Sequence, residues 1–402
     1  MANTLRITAA SHNKGKWYAL FLALLPIISI YRFPLLQMGI STVLIAIGLI
    51  PATIVILKNI KNIRYSLVWL LSLYLVYVAI KSDGINILLP LAILIHITAI
   101  STGAANGALL RKLVESITGI AALCVILQQL SHLLVGVHIS MINVNWVLEA
   151  IYDDYADSIV KGTGLESIYR PSAFFLEPAA FAQYGIYGLG SMLFREKPHL
   201  KMAILASIGI FATTSGMGFV LTFFMWGWWI VAYRMKTSKS RLLPTIIGWS
   251  IGAVVLFFVL MQIPFFQNIV ARFTNDGSSD YNAIDGRLFF WASVFGDKSL
   301  GDLVWGFGEA ALEKGYYYTG FMKILYAYGI IGCGFFYFFW LYLLLKTPRN
   351  AKAFVIMYIV LSFFANQVGF ISLIFCIGFI LTMCEYRTGS GVVTKRTGRV
   401  IN

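Results

Sequence analysis

The segment Arg170-Pro171-Ser172-Ala173-Phe174-Phe175-Leu176-Glu177-Pro178 puts a guanidinium and a carboxylate at the mouth of an apolar stretch. Ionisable groups in such places are costly, and they pair with one another or line cavities. An arginine offers a planar fork to phosphate or carboxylate oxygens, and a glutamate can take a proton from a hydroxyl. Pro171 suits the first turn of a helix, where its missing N–H would be unpaired in any case. From that start Glu177 is expected two turns on, about 10 Å along the axis. Arg170, Glu177, Phe181 and Tyr184 would then share one face, and Pro178 would kink the helix beside the carboxylate. One reading is a polar cavity with Arg170 as an anion ligand and Glu177 as a base or orienting group. The other is an ion pair that ties a loop to a helix. The cost of burying a carboxylate favours the first.

A second chemically dense stretch runs from Arg272 through Asp276, Asp280 and Asp285 to Arg287. Asp285 can cap a helix whose apolar face is Leu288, Phe289, Ala292 and Phe295, with Trp291 one turn from Arg287. Arg287 at a helix start, beside free backbone N–H groups, makes an anion site; a surface helix with a solvated arginine is the plainer alternative. Asp276 and Asp280 fall short of the ligand count and spacing of a calcium loop, so no metal is expected. Gly306-Phe307-Gly308 follows no strand and no Walker lysine accompanies it, so it reads as a tight turn. His132 and His138 flank the first long loop as acid-base candidates or as interfacial side chains. Ser215 lacks the surroundings of a nucleophile elbow, and the chain shows neither a Ser-His-Asp arrangement nor HExxH.

These groups must be positioned by a membrane protein. The 402 residues are 59% apolar and 12% charged, and a composition so far from that of soluble domains points to an all-α polytopic membrane protein. The chain reads as one integral membrane domain, 1–402, with no soluble catalytic domain appended and a retained first helix. About twelve spans are expected, near 17–31, 35–57, 65–80, 85–101, 113–137, 171–194, 200–213, 216–233, 243–264, 318–345, 352–366 and 369–385. Lys58/Lys61/Arg64, Arg195/Lys197/Lys201, Arg234/Lys236/Lys239/Arg241 and Lys346/Arg349/Lys352 fall in alternate connections, which places those connections and both termini in the cytoplasm. Two long loops, 138–170 and 265–317, then face outward, and loops of that length are functional or disordered. The formal charge of +14 reflects this orientation and contact with anionic lipid, not nucleic-acid binding. Cys124, Cys333, Cys376 and Cys384 lie in apolar runs and read as small buried hydrophobes.

In order along the chain, several of these features resemble the Wzy-type O-antigen polymerases and the related O-antigen ligases. The resemblance rests on the many-helix topology, on two long outer loops that each hold an arginine, and on Arg170-Pro171-Ser172 through Glu177-Pro178-Ala179-Ala180-Phe181-Ala182. It continues in Thr214-Ser215-Gly216, Gly286-Arg287 with Trp291, Gly306-Phe307-Gly308, and Tyr326-Ala327-Tyr328-Gly329-Ile330-Ile331-Gly332, covering residues 165–335. It implies a GT-C-like, inverting glycosyltransferase that uses neither metal nor cofactor. The donor would be an undecaprenyl-pyrophosphate-linked glycan and the acceptor a second lipid-linked repeat unit, at the periplasmic face of a bacterial inner membrane, with a chain-length-regulating protein as partner. Arg170 and Arg287 would hold the departing pyrophosphate and Glu177 would deprotonate the attacking hydroxyl. Arg272, Asp285, Trp291, Tyr184 and His138 complete the expected substrate-binding set. Ligase-like members carry a histidine late in the second long loop. Tyr316-Tyr317-Tyr318-Thr319-Gly320 has none, which favours a polymerase and leaves Asp276, Asp280, Asp285 and His138 open as bases. A ligase acting on a lipid core is the alternative within the enzyme class. A lipid-linked oligosaccharide flippase is the alternative outside it, disfavoured because charges look scarce within the first five expected spans.

Overall fold

Runs of apolar residues in a chain this poor in charge must satisfy their own backbone polar groups, and helices do so within one segment. A computed structural model describes residues 15–33, 38–82, 87–137, 149–150, 169–195, 197–233, 299–312, 318–365 and 369–389, with a few isolated positions between. Helices α1 (Lys16–Ile28), α2 (Ile40–Lys58), α3 (Tyr65–Lys81), α4 (Leu88–Ser101) and α5 (Gly107–Val135) lead into the first long loop. After it come α6 (Pro178–Leu193), α7 (Leu200–Ala212) and α8 (Gly216–Tyr233), then the short α9 (Leu300–Trp305) and α10 (Gly320–Lys346), α11 (Arg349–Phe364) and α12 (Phe370–Gly389). Helix thus forms at every expected segment except 243–264, which lies outside the described residues. Among the described residues α2, α5 and α10 are long and apolar enough to cross a membrane, and α1, α3, α4 and α7 are shorter apolar helices. The strands β1 (Tyr31–Phe33), β2 (Met38–Gly39) and β3 (Glu149–Ala150) form a small antiparallel ribbon in which β1 is central. Its register pairs Tyr31 with Ala150 and Arg32 with Glu149, and so ties the first long loop to the α1–α2 connection.

Helix α5 packs against α1, α6, α7 and α12. Near its start the sequence reading needs correction, because α5 carries buried charge. Glu115 takes both prongs of Arg195, from Nε at 3.0 Å and Nη2 at 2.6 Å, and accepts from Ser191 at 2.6 Å. Arg111 in turn donates to the Ser191 hydroxyl and carbonyl. Arg111 and Glu115 sit one turn apart on one helix face and are linked through Ser191.

The helices also fix which loops share an end. Tyr184 in α6 stacks on Phe375 in α12 at 5.3 Å, so the starts of α6 and α12 lie together. The Gly320 amide opening α10 donates to the Ala365 carbonyl closing α11, which brings the start of α10 to that end as well. Helix α10 breaks at Gly329, whose φ of 66° and ψ of −170° are open to glycine. The break releases two carbonyls, and the segment after α9 takes both: Phe307 N–H donates to Tyr326 O at 2.9 Å and Gly308 N–H to Ala327 O at 2.8 Å. Lys81 and Tyr77 of α3 hold the same segment through the carbonyls of Gly306 and Trp305. A Cβ on Gly329 would run into the Val304 carbonyl and the Gly306 amide.

Gly329→Ala is therefore expected to cost more than the ~1–2 kcal/mol of a left-handed backbone alone, read as a lowered thermal midpoint of the purified protein. Gly227→Ala, in α8, where nothing lies within 4 Å of an added Cβ, is expected to leave that midpoint unchanged or raise it.

Candidate functional site

The last turns of α5 supply Gln128, Gln129 and His132, before Gly136 in the left-handed conformation ends the helix. Ile139 then offers one carbonyl to two donors, Gln128 Nε2 at 3.4 Å and the hydroxyl of Tyr169. Tyr169 packs its ring on His132 at 4.9 Å. The two ends of the first long loop are thereby drawn together at the end of α5. Burial pushes the Tyr169 phenol up to about 12 against the opposing pull of the Ile139 carbonyl, so it is a neutral donor at physiological pH.

From Tyr169 the chain runs into the Arg170–Glu177 segment, and here the expected helix start is corrected. Helix α6 begins at Pro178, and Pro171 opens no helix. Glu177 is the N-cap residue with an extended backbone, φ −143° and ψ 158°. Pro178 occupies the first helical position, where its missing N–H leaves nothing unpaired, so it makes a start and not a kink. Its ring also bars the α conformation to Glu177. Arg170 and Glu177 precede the helix and are partly exposed, while Ser172, Ala173 and Phe175 between them are buried. Ala173 adopts φ 54°, and its amide donates to Gln128 Oε1 at 2.9 Å. A left-handed alanine costs about 1–2 kcal/mol, which a buried, satisfied amide offsets. Phe175 packs on Phe181 and Tyr184 within 5.4 Å. The carboxylate at the N-terminus of α6 sits where the helix dipole favours negative charge.

The turn between α7 and α8 comes to the same place. Gly218 in the first turn of α8 lies against Ala182, one turn into α6, so the preceding Thr213-Thr214-Ser215 turn is level with the start of α6. Thr214 has φ 58°, is 2% exposed, and its hydroxyl makes no hydrogen bond among the described residues. Thus Arg170, Glu177 and the Thr214 hydroxyl share the end of the bundle that also receives Gly306–Gly308.

The chain matches no family model, and none of the curated proteins matches it.

Of the remaining expected residues, Tyr184 is 3% exposed and donates to the Ala23 carbonyl at 3.0 Å, so in this arrangement it packs the bundle. Arg272, Asp276, Asp280, Asp285, Arg287, Trp291 and His138 lie outside the described residues. Among the described residues no three His, Cys, Asp or Glu side chains are grouped to hold a metal ion, and all four cysteines are free thiols. Sequence reasoning passed over Gln128, and took Thr214 only as part of the Thr214-Ser215-Gly216 motif. Gln128 carried a usable signal, since an amide in the last turns of an apolar helix needs a partner.

Gln128→Leu removes the acceptor for a buried amide and is expected to cost about 1–3 kcal/mol. Hydrogen exchange at the Ala173 amide should accelerate well beyond that of amides within α6; unchanged protection would show that another group holds the turn.

Proposed function

We propose that the protein extends surface polysaccharide by transferring an undecaprenyl-pyrophosphate-linked glycan to a second lipid-linked repeat unit, outside a bacterial cytoplasmic membrane. The proposal takes the chain as a GT-C-like bundle of about twelve spans, with loops 138–170 and 265–317 on the outer side. The observation that carries it is the Arg170–Glu177 turn. It is braced by Gln128, packed against Phe181 and Tyr184, and shares its end of the bundle with a buried Thr214 hydroxyl that makes no hydrogen bond among the described residues. A guanidinium and a carboxylate, both partly exposed, are thus carried on a braced backbone.

The chemistry follows from the groups. The acceptor hydroxyl oxygen bonds to the anomeric carbon while the bond from that carbon to the pyrophosphate oxygen breaks, which inverts the configuration. The electron pair leaves on pyrophosphate, where Arg170 and Arg287 present planar forks to the phosphate oxygens. Glu177 receives the hydroxyl proton. No nucleotide is needed, because the leaving group already carries its own charge and lipid anchor. The missing histidine in 316–320 favours the polymerase over a ligase that acts on a lipid core. A flippase would need charged groups along a route through the bundle, whereas the buried charges described in α5, Arg111 and Glu115, gather in one cluster near its start.

Purified protein supplied with lipid-linked repeat units should build ladders on gels. Arg170→Lys and Arg287→Lys keep charge but lose the fork, and each should slow extension severely with the protein still folded. Glu177→Gln should slow it by roughly 10² to 10⁴. Wild-type speed in Glu177→Gln would leave it as a structural N-cap residue, and a wild-type protein that builds no ladder would overturn the whole reading.

A further inference from the structure

Helices α5 and α7 pack side by side and run in the same direction: a Cβ added to Gly119 would meet the Met202 side chain, and one added to Gly209 would meet Ala122. The small residues of α5 therefore face inward. Its outward face carries Lys112, Ser116, Ile120, Leu123 and Leu127, all exposed and three or four residues apart. On α7 the exposed stripe is Lys201, Ile204 and Ile208. Each stripe begins with an ammonium group and continues in branched aliphatic side chains. The two beginnings are held together. Glu115 takes both prongs of Arg195, and Arg195 Nη1 lies 3.3 Å from Nε2 of His199, the residue before α7, so α7 starts within about one turn of Lys112.

Charge gathers at this end. Arg111, Lys112, Arg195, Lys197 and Lys201 stand against Glu115 and Glu196. Glu115 is buried and taken up by Arg195 and Ser191, so it does little to offset the cations outside. Among the described residues the surface here presents Lys112, Lys197 and Lys201, all exposed. Leu127 follows Ser116 by eleven residues, about 16 Å of helix. That is the depth of hydrocarbon in one leaflet, about 15 Å.

We propose that the α5–α7 face binds one phospholipid with an anionic headgroup from the cytoplasmic leaflet. The phosphate sits between Lys112 and Lys201, whose stems run along the acyl chains, and the chains lie on Ile120, Leu123, Leu127, Ile204 and Ile208. The site takes the start of α5 as the cytoplasmic end, from the charge bias of the connections, and is independent of the reaction proposed above. A choline or ethanolamine headgroup would bring its own cation against the lysines, whereas glycerol or a second phosphate would not. A second copy docked about a two-fold axis would set these lysines against their own counterparts. Helices in membranes also associate through small residues, and α5 has already turned Gly119 and Ala122 toward α7.

The test uses the full chain in detergent, with equal amounts of dioleoyl-phosphatidylglycerol or dioleoyl-phosphatidylcholine added before native mass spectrometry. The wild type should retain phosphatidylglycerol and lose phosphatidylcholine, and phosphatidylglycerol should raise its thermal midpoint more. Lys112→Gln combined with Lys201→Gln should weaken phosphatidylglycerol binding about tenfold or more. Lys58→Gln combined with Lys61→Gln removes the same charge from the exposed end of α2 and should change it little. Equal retention of both lipids by the wild type, or equal loss in the two double variants, overturns the site. In membranes, Leu127→benzoylphenylalanine should photo-crosslink to lipid. Capture of a second copy or of another protein in place of lipid overturns the proposal whatever the lysine variants do. None of these readouts depends on chain extension.

Discussion

A backbone amide that leaves a helix inside an apolar bundle must find an acceptor, because no water is there to supply one. That constraint shapes two irregular segments of this protein. At the end of α5 the Ala173 amide is met by Gln128, and the whole Arg170–Glu177 turn takes its course from that bond. At the break in α10 the problem is reversed. Gly329 frees the carbonyls of Tyr326 and Ala327, and the Phe307 and Gly308 amides arrive to use them. Each irregular segment is thus pinned by its own backbone, and a side chain anchored on pinned backbone can be placed with a precision that a free loop lacks.

Polar groups gather at both ends of the bundle. Away from the long loops, Glu115, Ser191, Arg111 and Arg195 are joined in one hydrogen-bonded cluster. Such a set resists disruption, since removing one partner strands a buried charge. At the loop-bearing end the hydroxyl of Thr214 is buried and makes no hydrogen bond among the described residues, and the carboxylates of Glu177 and Glu309 are partly exposed. The first end is built for cohesion. The second presents its carboxylates to the surface beside a buried hydroxyl.

Strain follows the same division. The left-handed non-glycine residues Ala173 and Thr214 both sit at the loop-bearing end, in the two turns that flank the start of α6. Backbone strain persists where surrounding structure over-determines it, and it gathers at sites where a ligand is held. In the proposed transfer, the rigid turn sets the arginine and carboxylate before the lipid-linked donor arrives, so little ordering remains to oppose the reaction.

Much of this was legible in the residues alone. Apolar run lengths located the helices, because a run that must pair its own backbone has one way to do so; α3, α4, α7 and α8 fall within a few residues of their expected bounds. The chemistry of Arg170 and Glu177 was equally visible, since charge beside an apolar run is expensive wherever it sits. Local sequence misled at Pro171, which is as good a helix starter as Pro178. Only the acceptor on Gln128, 45 residues away, decides between them by holding Ala173 out of the helix. The saturation of Glu115 by Arg195 and the meeting of Gly306–Gly308 with Gly329 were likewise beyond reach. A glycine announces that backbone can bend or approach closely, but not what it will meet. Sequence by itself determined the helices and the kinds of chemistry available, because both depend on neighbouring residues. Tertiary structure decided which polar groups are spent and which remain open, because hydrogen bonds between distant segments are settled only when the bundle closes.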